Sequence, residues 1–289
     1  MKWFDYKAPT TLAEAISLFA NHPGACLLAG GTDLLVQLRA GRKQTDLVID
    51  IKHIPELNEI KFSPHSGLTL GSAVSCASAY ENEIVKRNYP SLAEVASIIG
   101  GTQIQGRASV GGNLCNAAPS ADTIPLLIAL GAQCRIASSK GERVIPVENF
   151  CTAPGKNALQ SGELLVSLNF PAPGKASAAH YLRFTPRNEM DIAVAGVGVS
   201  VTLENGTFKD ARIALSSVAP TPLFVASAGD SLRGKAVNGS SIQAAALLAQ
   251  AEATPISDMR GTAEFRRHLC GVLTKRAIEA AVQKARQVQ

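Results

Sequence analysis

Apolar side chains at Leu12, Ala15, Ile16 and Phe19 recur at helical spacing behind Thr11 and Glu14, a capping box, and Pro23-Gly24 ends the run. The pattern predicts a first helix there. Cys26-Leu27-Leu28 reads as a short strand running into Gly30-Gly31-Thr32-Asp33, followed by a helix over 34–40 stopped at Gly41 and a strand over 47–51. A strand over 68–70 comes next. A helix after Pro90, with Ser91 and Glu94 as a second capping box, turns Leu92, Val95, Ala96 and Ile99 inward. The stretch 100–116 is the least regular and the richest in glycine. Beyond it Asp122 is expected to cap a helix over 123–130, with Pro125 in its first turn and Gly131 as its stop, and 164–170 reads as a strand. Pro171-Ala172-Pro173-Gly174 breaks the periodicity. After it, β-rich runs over 192–203 and 208–215 meet at Asn205-Gly206, a hairpin signal, and helical segments over 241–252 and 262–286 close the chain.

The chain has 289 residues, 46% hydrophobic and 18% charged, enough to bury a sizeable core in two domains and too little charge for wholesale disorder. The break at Pro171 divides it into 1–173, itself expected as two α+β halves of about 1–55 and 56–173, and a smaller α+β domain over 174–289. A net charge of +5, without a run of like charges and with one Trp and four Tyr, excludes a nucleic-acid surface. Charge-poor stretches are interrupted by Pro, Ser and Gly, so no membrane span is expected. The start lacks the apolar run of a signal peptide, and a cytoplasmic protein is expected. The six cysteines, at 26, 76, 115, 134, 151 and 270, include no Cys-x-x-Cys, which argues against a zinc site or an iron–sulfur cluster within this chain.

Two glycine pairs carry the candidate chemistry. Gly30-Gly31 stands where a strand meets a helix, so backbone N–H groups converge and absent side chains let a phosphate approach. Thr32 adds a hydroxyl, and the Asp33 carboxylate is assigned to capping the helix. A tight turn without a ligand explains this pair equally well on its own. The second pair, Gly111-Gly112, follows Thr102, Gln103, Gln105 and Ser109 and precedes Asn113, a set of polar donors among small residues. Arg107-Ala108 stands where a Walker loop needs Lys-Ser/Thr, and Gly196-Val197-Gly198 lacks the third glycine of a Rossmann fingerprint. Two donor loops without a metal-binding Lys-Thr suit a dinucleotide's pyrophosphate. The five histidines are scattered, and no Gly-x-Ser-x-Gly elbow supports serine catalysis. Arg187, Glu189 and Asp191 cluster near the hairpin, and the basic residues of the last helix, Arg266 among them, read as a solvated face.

Leu27-Leu28-Ala29-Gly30-Gly31-Thr32-Asp33-Leu34, then Ser109-Val110-Gly111-Gly112-Asn113, then Ala118-Pro119-Ser120-Ala121-Asp122 resemble the signature of the FAD-binding subunit of molybdenum hydroxylases. This is the group of xanthine dehydrogenase and of the carbon monoxide dehydrogenase flavoprotein. The resemblance extends to 187–193 and to Glu264-Phe265-Arg266. It implies a vanillyl-alcohol-oxidase (PCMH)-type FAD-binding domain in two α+β subdomains, with a smaller C-terminal α+β domain. It also implies that the two glycine loops hold the FAD pyrophosphate, that Asp122 contacts the adenosine portion, that Leu165 packs on the adenine and that Arg183 contacts the flavin. Ile99 stands where mammalian xanthine dehydrogenase places an aromatic beside the isoalloxazine. Thr32-Asp33 replaces the histidine of covalently flavinylated relatives, so non-covalent FAD is expected.

No catalytic residue and no metal ligand is expected in this chain. The implied function is an electron relay, with molybdopterin in a large partner subunit and 2Fe-2S clusters in a small one, and FAD delivering electrons to NAD or another acceptor. The alternatives are a stand-alone flavin oxidase of the same fold and a non-catalytic dinucleotide-binding assembly module. Gly111→Asp is expected to abolish FAD retention by placing a side chain and a charge against the pyrophosphate.

Overall fold

Three sheets organise the chain, and each is explained by where its apolar residues fall. The computed structural model describes residues 2–188 and 190–288. In the first unit β1 (Asp5–Lys7), α1 (Leu12–Asn21), β2 (Cys26–Leu28), α2 (Leu34–Arg39) and β3 (Leu47–Asp50) build a parallel sheet of order β1-β3-β2. The central strand, β3, is buried along its whole length, as a parallel strand covered on both faces must be. Thr11 Oγ1 accepts from the Glu14 amide and caps α1, while the Glu14 carboxylate reaches back to the amide of Thr10.

The second unit is an antiparallel sheet of order β4-β5-β10-β6-β7, built from β4 (Ile60–Ser63), β5 (Gly67–Gly71), β6 (Gln133–Ser138), β7 (Gly141–Pro146) and β10 (Leu164–Phe170). A small ribbon, β8 (Cys151–Ala153) with β9 (Lys156–Asn157), sits beside it. Six helices lie between β5 and β6: α3 (Cys76–Glu81), α4 (Glu83–Asn88), α5 (Pro90–Ala96), α6 (Thr102–Gln105), α7 (Val110–Asn116) and α8 (Thr123–Ala129). Two of them fall in 100–116, where the sequence suggested irregular backbone. The pattern misleads because α6 and α7 are too short to show a period, and α7 carries glycine inside. Ser91 is no cap either. Its hydroxyl donates to the Ala179 carbonyl, and α5 starts on Pro90 behind Tyr89.

The third unit is the antiparallel sheet β11-β12-β13-β14, from β11 (Ser177–Phe184), β12 (Ala195–Glu204), β13 (Thr207–Ser216) and β14 (Leu223–Phe224). It is covered by α9 (Ala226–Leu232), α10 (Gly239–Glu252) and α11 (Ala263–Gln287). Asn205 and Gly206, with φ of 50° and 77°, form the expected hairpin turn between β12 and β13. Side chains alternate along β12. Val197, Val199 and Val201 join the helix-covered core with Ala277, Ile278 and Ala281, whereas Gly196, Gly198 and Ser200 lie on the other face, where α8 packs on Gly198 and Ser200. A Cβ on Gly198 would lie 2.4 Å from the Pro125 carbonyl oxygen, so only glycine lets the α8 backbone rest on the sheet. Every residue of α8 is buried, and Ala179, Tyr181 and Ala214 of the third unit belong to the same core as Leu92, Leu126 and Phe170. At about 2 kcal/mol for each large apolar side chain removed from water, this contact holds the units as one packed body.

The basic face expected on the last helix is partly internal. Arg266 is buried, donating from Nη1 to the carbonyls of Val194 and Ser217 and from Nη2 to Asp258. Its guanidinium satisfies the strand ends where β12 begins and β13 stops. Arg187 pairs with Asp191 as the sequence clustering suggested; Glu189 lies outside the described residues.

Candidate cofactor site

The first glycine turn is fixed by contact with the second. Leu27 and Leu28 lie in β2, Leu28 buried against Leu38 and Val48 with Leu34 beside them, so they anchor the turn from beneath. A Cβ on Gly30 would lie 1.9 Å from the Arg107 carbonyl oxygen and 2.9 Å from the Ala108 Cα, so the turn packs backbone against backbone on the segment that leads into Ser109. Gly31 has φ of 77°, which glycine adopts without strain. Ala29 and Thr32 flank the pair, half-buried. Among the described residues no protein acceptor takes the amides of Gly30, Gly31, Thr32 or Asp33. Asp33 stands at the N-cap of α2, but its carboxylate makes no capping bond, contrary to the sequence reading. Its backbone is helical at φ −98° and ψ −47°, which does not turn the side chain back onto the following amides. Desolvation pushes its carboxyl above the usual range.

Ser109 begins the second loop as the N-cap of α7, its Oγ accepting from the Gly112 amide at 3.0 Å. Val110 is fully buried and anchors the turn, its amide turned to the antiparallel bridge between Ser75 and Ser109, while the amide of Gly111 finds no protein acceptor among the described residues. Gly111 faces the protein, because a Cβ there would lie 2.5 Å from the Ser72 carbonyl oxygen. Gly112 is the less confined position: an added Cβ would meet only Ser109 Oγ, at 2.8 Å, within 4 Å. The Asn113 side chain accepts from Thr123 Oγ1 at 2.6 Å, and Gln37 Nε2 donates to Asn116 Oδ1 at 3.0 Å, tying together the two helices that follow the loops. Gln105 is spent internally on the Ser97 carbonyl and leaves the donor set, whereas Gln103 reaches Met190 Sδ at 3.5 Å. Ile99 is half-buried before Gly100, packed against the main core.

Asp122 and Arg183 form one unit. Arg183 Nη1 donates to Asp122 Oδ2 at 2.6 Å, and Tyr181 Oη donates to Asp122 Oδ1 at 2.7 Å. Asp122 therefore does not cap α8; its carboxylate is drawn to β11. Burial raises its pKa, with the Arg183 charge and the two hydrogen bonds opposing. Leu165 is 3% exposed inside the second unit, beside a register shift in β10, the central strand of its sheet. Its strand is held by Glu163, which takes two bonds from Arg143 at 2.7 and 2.6 Å.

Sequence reasoning missed Tyr181, Lys52 and Arg107. Lys52 and Arg107 line a recess of about 250 Å³ with Ser75, Ser78 and Asn58, beside the contact between the two loops. No motif signals any of the three: Tyr181 is tied to Asp122 of another unit, Arg107 is covered by Gly30, and Lys52 is held by Asp50 two residues away at 2.6 Å. Among the described residues no group of three His, Cys, Asp or Glu side chains is arranged to hold a metal ion. All six cysteines are free. Burial pushes the Cys76, Cys115 and Cys270 thiols up to about 12 and Cys151 to about 11, so they are protonated.

Five uncommitted backbone amides on two abutting turns, without a competing carboxylate bonded to them among the described residues, form a donor set suited to a pyrophosphate. Residues 2–173 match the family model described as the FAD binding domain in molybdopterin dehydrogenase, and residues 180–281 match the CO dehydrogenase flavoprotein C-terminal domain. The chain belongs to the FAD-binding medium-subunit family of the xanthine and carbon monoxide dehydrogenases. It is 36% identical over 282 residues to the putative xanthine dehydrogenase FAD-binding subunit of Escherichia coli, covering 97% of this chain and 96% of that one. Carbon monoxide dehydrogenase from Hydrogenophaga pseudoflava has a chain that superposes with a TM-score of 0.93 at 33% identity, covering 97% of both. A chain of quinoline 2-oxidoreductase from Pseudomonas putida superposes at 0.91 with 31% identity, covering 99% of both. The α+β architecture is thus that of the family, FAD is its cofactor, and the chain is the flavoprotein component of an oxidoreductase. None of its described helices is long and apolar enough to cross a membrane.

Proposed function

We propose that this chain is the electron-transfer flavoprotein of a heteromeric molybdenum hydroxylase, working in the cytoplasm with a large molybdenum subunit and a small 2Fe-2S subunit. Electrons enter from the 2Fe-2S clusters and leave to NAD or another acceptor. The relatives named as a FAD-binding subunit and as carbon monoxide dehydrogenase support partners of this kind. The observation that carries the reading is the backbone contact of Gly30 on Arg107, which sets the two amide-bearing turns side by side.

When bound, FAD supplies the redox chemistry, and this chain supplies position and electrostatics. The amides of Gly30–Asp33 with that of Gly111 would hold the pyrophosphate, with Ala29, Thr32, Ser109, Val110, Gly112 and Asn113 shaping the two turns. Leu27, Leu28 and Leu34 support the first turn, and the resemblance assigns Leu165 to the adenine. The resemblance assigns Asp122 to the adenosine half and Arg183 to the flavin. Their 2.6 Å ion pair supports a shared role, in which both act on the same part of the cofactor. Ile99 flanks the isoalloxazine without an aromatic stack. Thr32 and Asp33 offer no histidine for a covalent link, so the cofactor is held by non-covalent contacts. We divide the chain into 1–173, with halves of about 1–55 and 56–173, and 174–289; β10 ends at Phe170 and β11 begins at Ser177, which supports that division.

Affinity purification of the tagged chain from its native host tests the assembly. Molybdenum and iron co-purifying with two further chains is the expected result. A flavin-loaded chain that turns over substrate alone, without either metal, would contradict it.

A further inference from the structure

The polar cluster around Asp122 contains a residue that neither the motifs nor the family likeness assigns. We propose that Tyr181 is a positioning residue for the FAD site, fixing the Asp122 carboxylate so that Arg183 presents its unused N–H groups to the cofactor. This rests on the reading of Arg183 as an FAD contact.

Tyr181 and Arg183 are two residues apart on β11 and project from the same face. They stand opposite Gly198 and Gly196 of β12 in the strand register. A Cβ on Gly196 would lie 2.5 Å from both Tyr181 Oη and Ser216 Oγ, so the phenol tip fills space that a missing side chain leaves, and it has little freedom to move. Ser216 Oγ is buried beside the phenol tip. The Arg183 side chain is only 13% exposed, yet the bond from Nη1 to Asp122 is the sole one its guanidinium makes among the described residues. A guanidinium has five N–H donors in a fixed fork. One bond to one carboxylate oxygen leaves that fork free to pivot, unless the carboxylate is itself held. Tyr181 holds it through the other oxygen, at 2.7 Å, so the direction of the remaining Arg183 donors is set two residues away on the same strand. Burial first, and then the Asp122 charge, push the Tyr181 phenol far above its ordinary range, so the hydroxyl stays protonated and always donates. A nearly buried cation with unused donors needs an acceptor that the protein does not supply. The carbonyl and phosphate oxygens of FAD are such acceptors.

Tyr181→Phe in the full chain deletes the hydroxyl and keeps the ring in the core. Apoprotein titrated with FAD, followed by quenching of flavin fluorescence, is expected to show roughly tenfold weaker binding, the loss of one hydrogen bond to a charged group. The midpoint potential of the bound flavin should fall, because a cation held less firmly favours added negative charge less. Asp122→Asn should weaken binding to a similar degree, and adding Tyr181→Phe to it should cost nothing further. Wild-type affinity and potential in Tyr181→Phe would overturn the proposal, as would fully additive losses in the double variant. Should Tyr181→Phe fail to fold, unchanged FAD affinity in Asp122→Asn overturns it alone. A wild-type chain that binds no FAD would instead defeat the reading of the site itself, and this proposal with it.

Discussion

Gly111 and Gly112 are adjacent, yet they do opposite things. Gly111 is pressed on Ser72, so Gly111→Asp damages packing between the second loop and the segment after β5 rather than placing charge on the pyrophosphate. Gly112 meets only the movable Ser109 hydroxyl, and Gly112→Asp is the variant expected to set a carboxylate into the cradle. We expect Gly112→Asp to fold with a melting temperature within a few degrees of wild type while FAD affinity drops at least tenfold, and Gly111→Asp to lose about 1–3 kcal/mol of stability as an overpacked site. Thermal denaturation beside FAD titration separates the two; a Gly112→Asp chain with wild-type affinity would show that the turn does not face the ligand. Gly30-Gly31 was legible as a turn, because a chain that passes from a strand through Gly-Gly into a helix must change direction tightly at that pair, whereas Gly111 and Gly112 fall inside α7, in a stretch expected to be irregular. The facing of neither pair was legible, since it depends on Arg107 and Ser72, distant in sequence. Asp33, Ser91 and Asp122 were misread for a related reason. Each has the right residue type for a cap, but the Asp33 backbone is helical, and Ser91 and Asp122 are claimed by tertiary partners on β11, the Ala179 carbonyl and the Tyr181–Arg183 pair.

At the scale of elements, long periodic segments were read well. The strand over 164–170, the Asn205-Gly206 hairpin, α10 and α11 all fall within a residue or two of their predicted spans, the margin by which element ends fray. Others were not: β1, β4, β8 and β9 hold too few residues for any period, and β6, β7 and β11 pass unnoticed although they run to six or eight residues. The alternation of glycine and valine in β12 carries the junction between units. Gly198→Val is therefore expected to push α8 off the sheet and to lower the melting temperature strongly, where Val199→Ala, on the opposite face, leaves a cavity worth roughly 1–3 kcal/mol. Calorimetry of the two variants checks the order; an equal or smaller loss in Gly198→Val would contradict direct backbone contact. In α7, Ser109→Ala removes the cap on Gly112 and should cost about 1 kcal/mol, read by denaturant titration.

Across the whole molecule, Glu94 of α5 clasps the C-terminal unit through His180 of β11 and Lys284 near the end of α11. The His180 contact is the larger influence and Lys284 adds to it; together they hold the Glu94 carboxyl at about 2, against burial, which acts upward. A depressed carboxyl stabilises the fold above its unfolded value of 4.5 and loses that contribution as pH falls through about 2. Glu94→Gln should accordingly be less stable than wild type at pH 7, by about 0.5–1 kcal/mol for so exposed a pair, and the gap should close as the pH approaches 2. Denaturant midpoints measured across that range decide it; a gap that persists unchanged at pH 2 would exclude the clasp. The membership of the chain in its family was legible because two glycine loops and the Ala118–Asp122 segment keep their order over a long span, whereas the clasp and the Tyr181 cluster exist only once the units are packed. All of this meets in one proposed property, the holding of FAD by backbone amides without a covalent bond. The visible absorption spectrum of the purified protein, taken before and after acid precipitation, tests it most directly. Flavin bands that pass into the supernatant are the predicted result. A colourless protein that takes up no flavin on incubation with FAD, or flavin that stays with the precipitate, would contradict it.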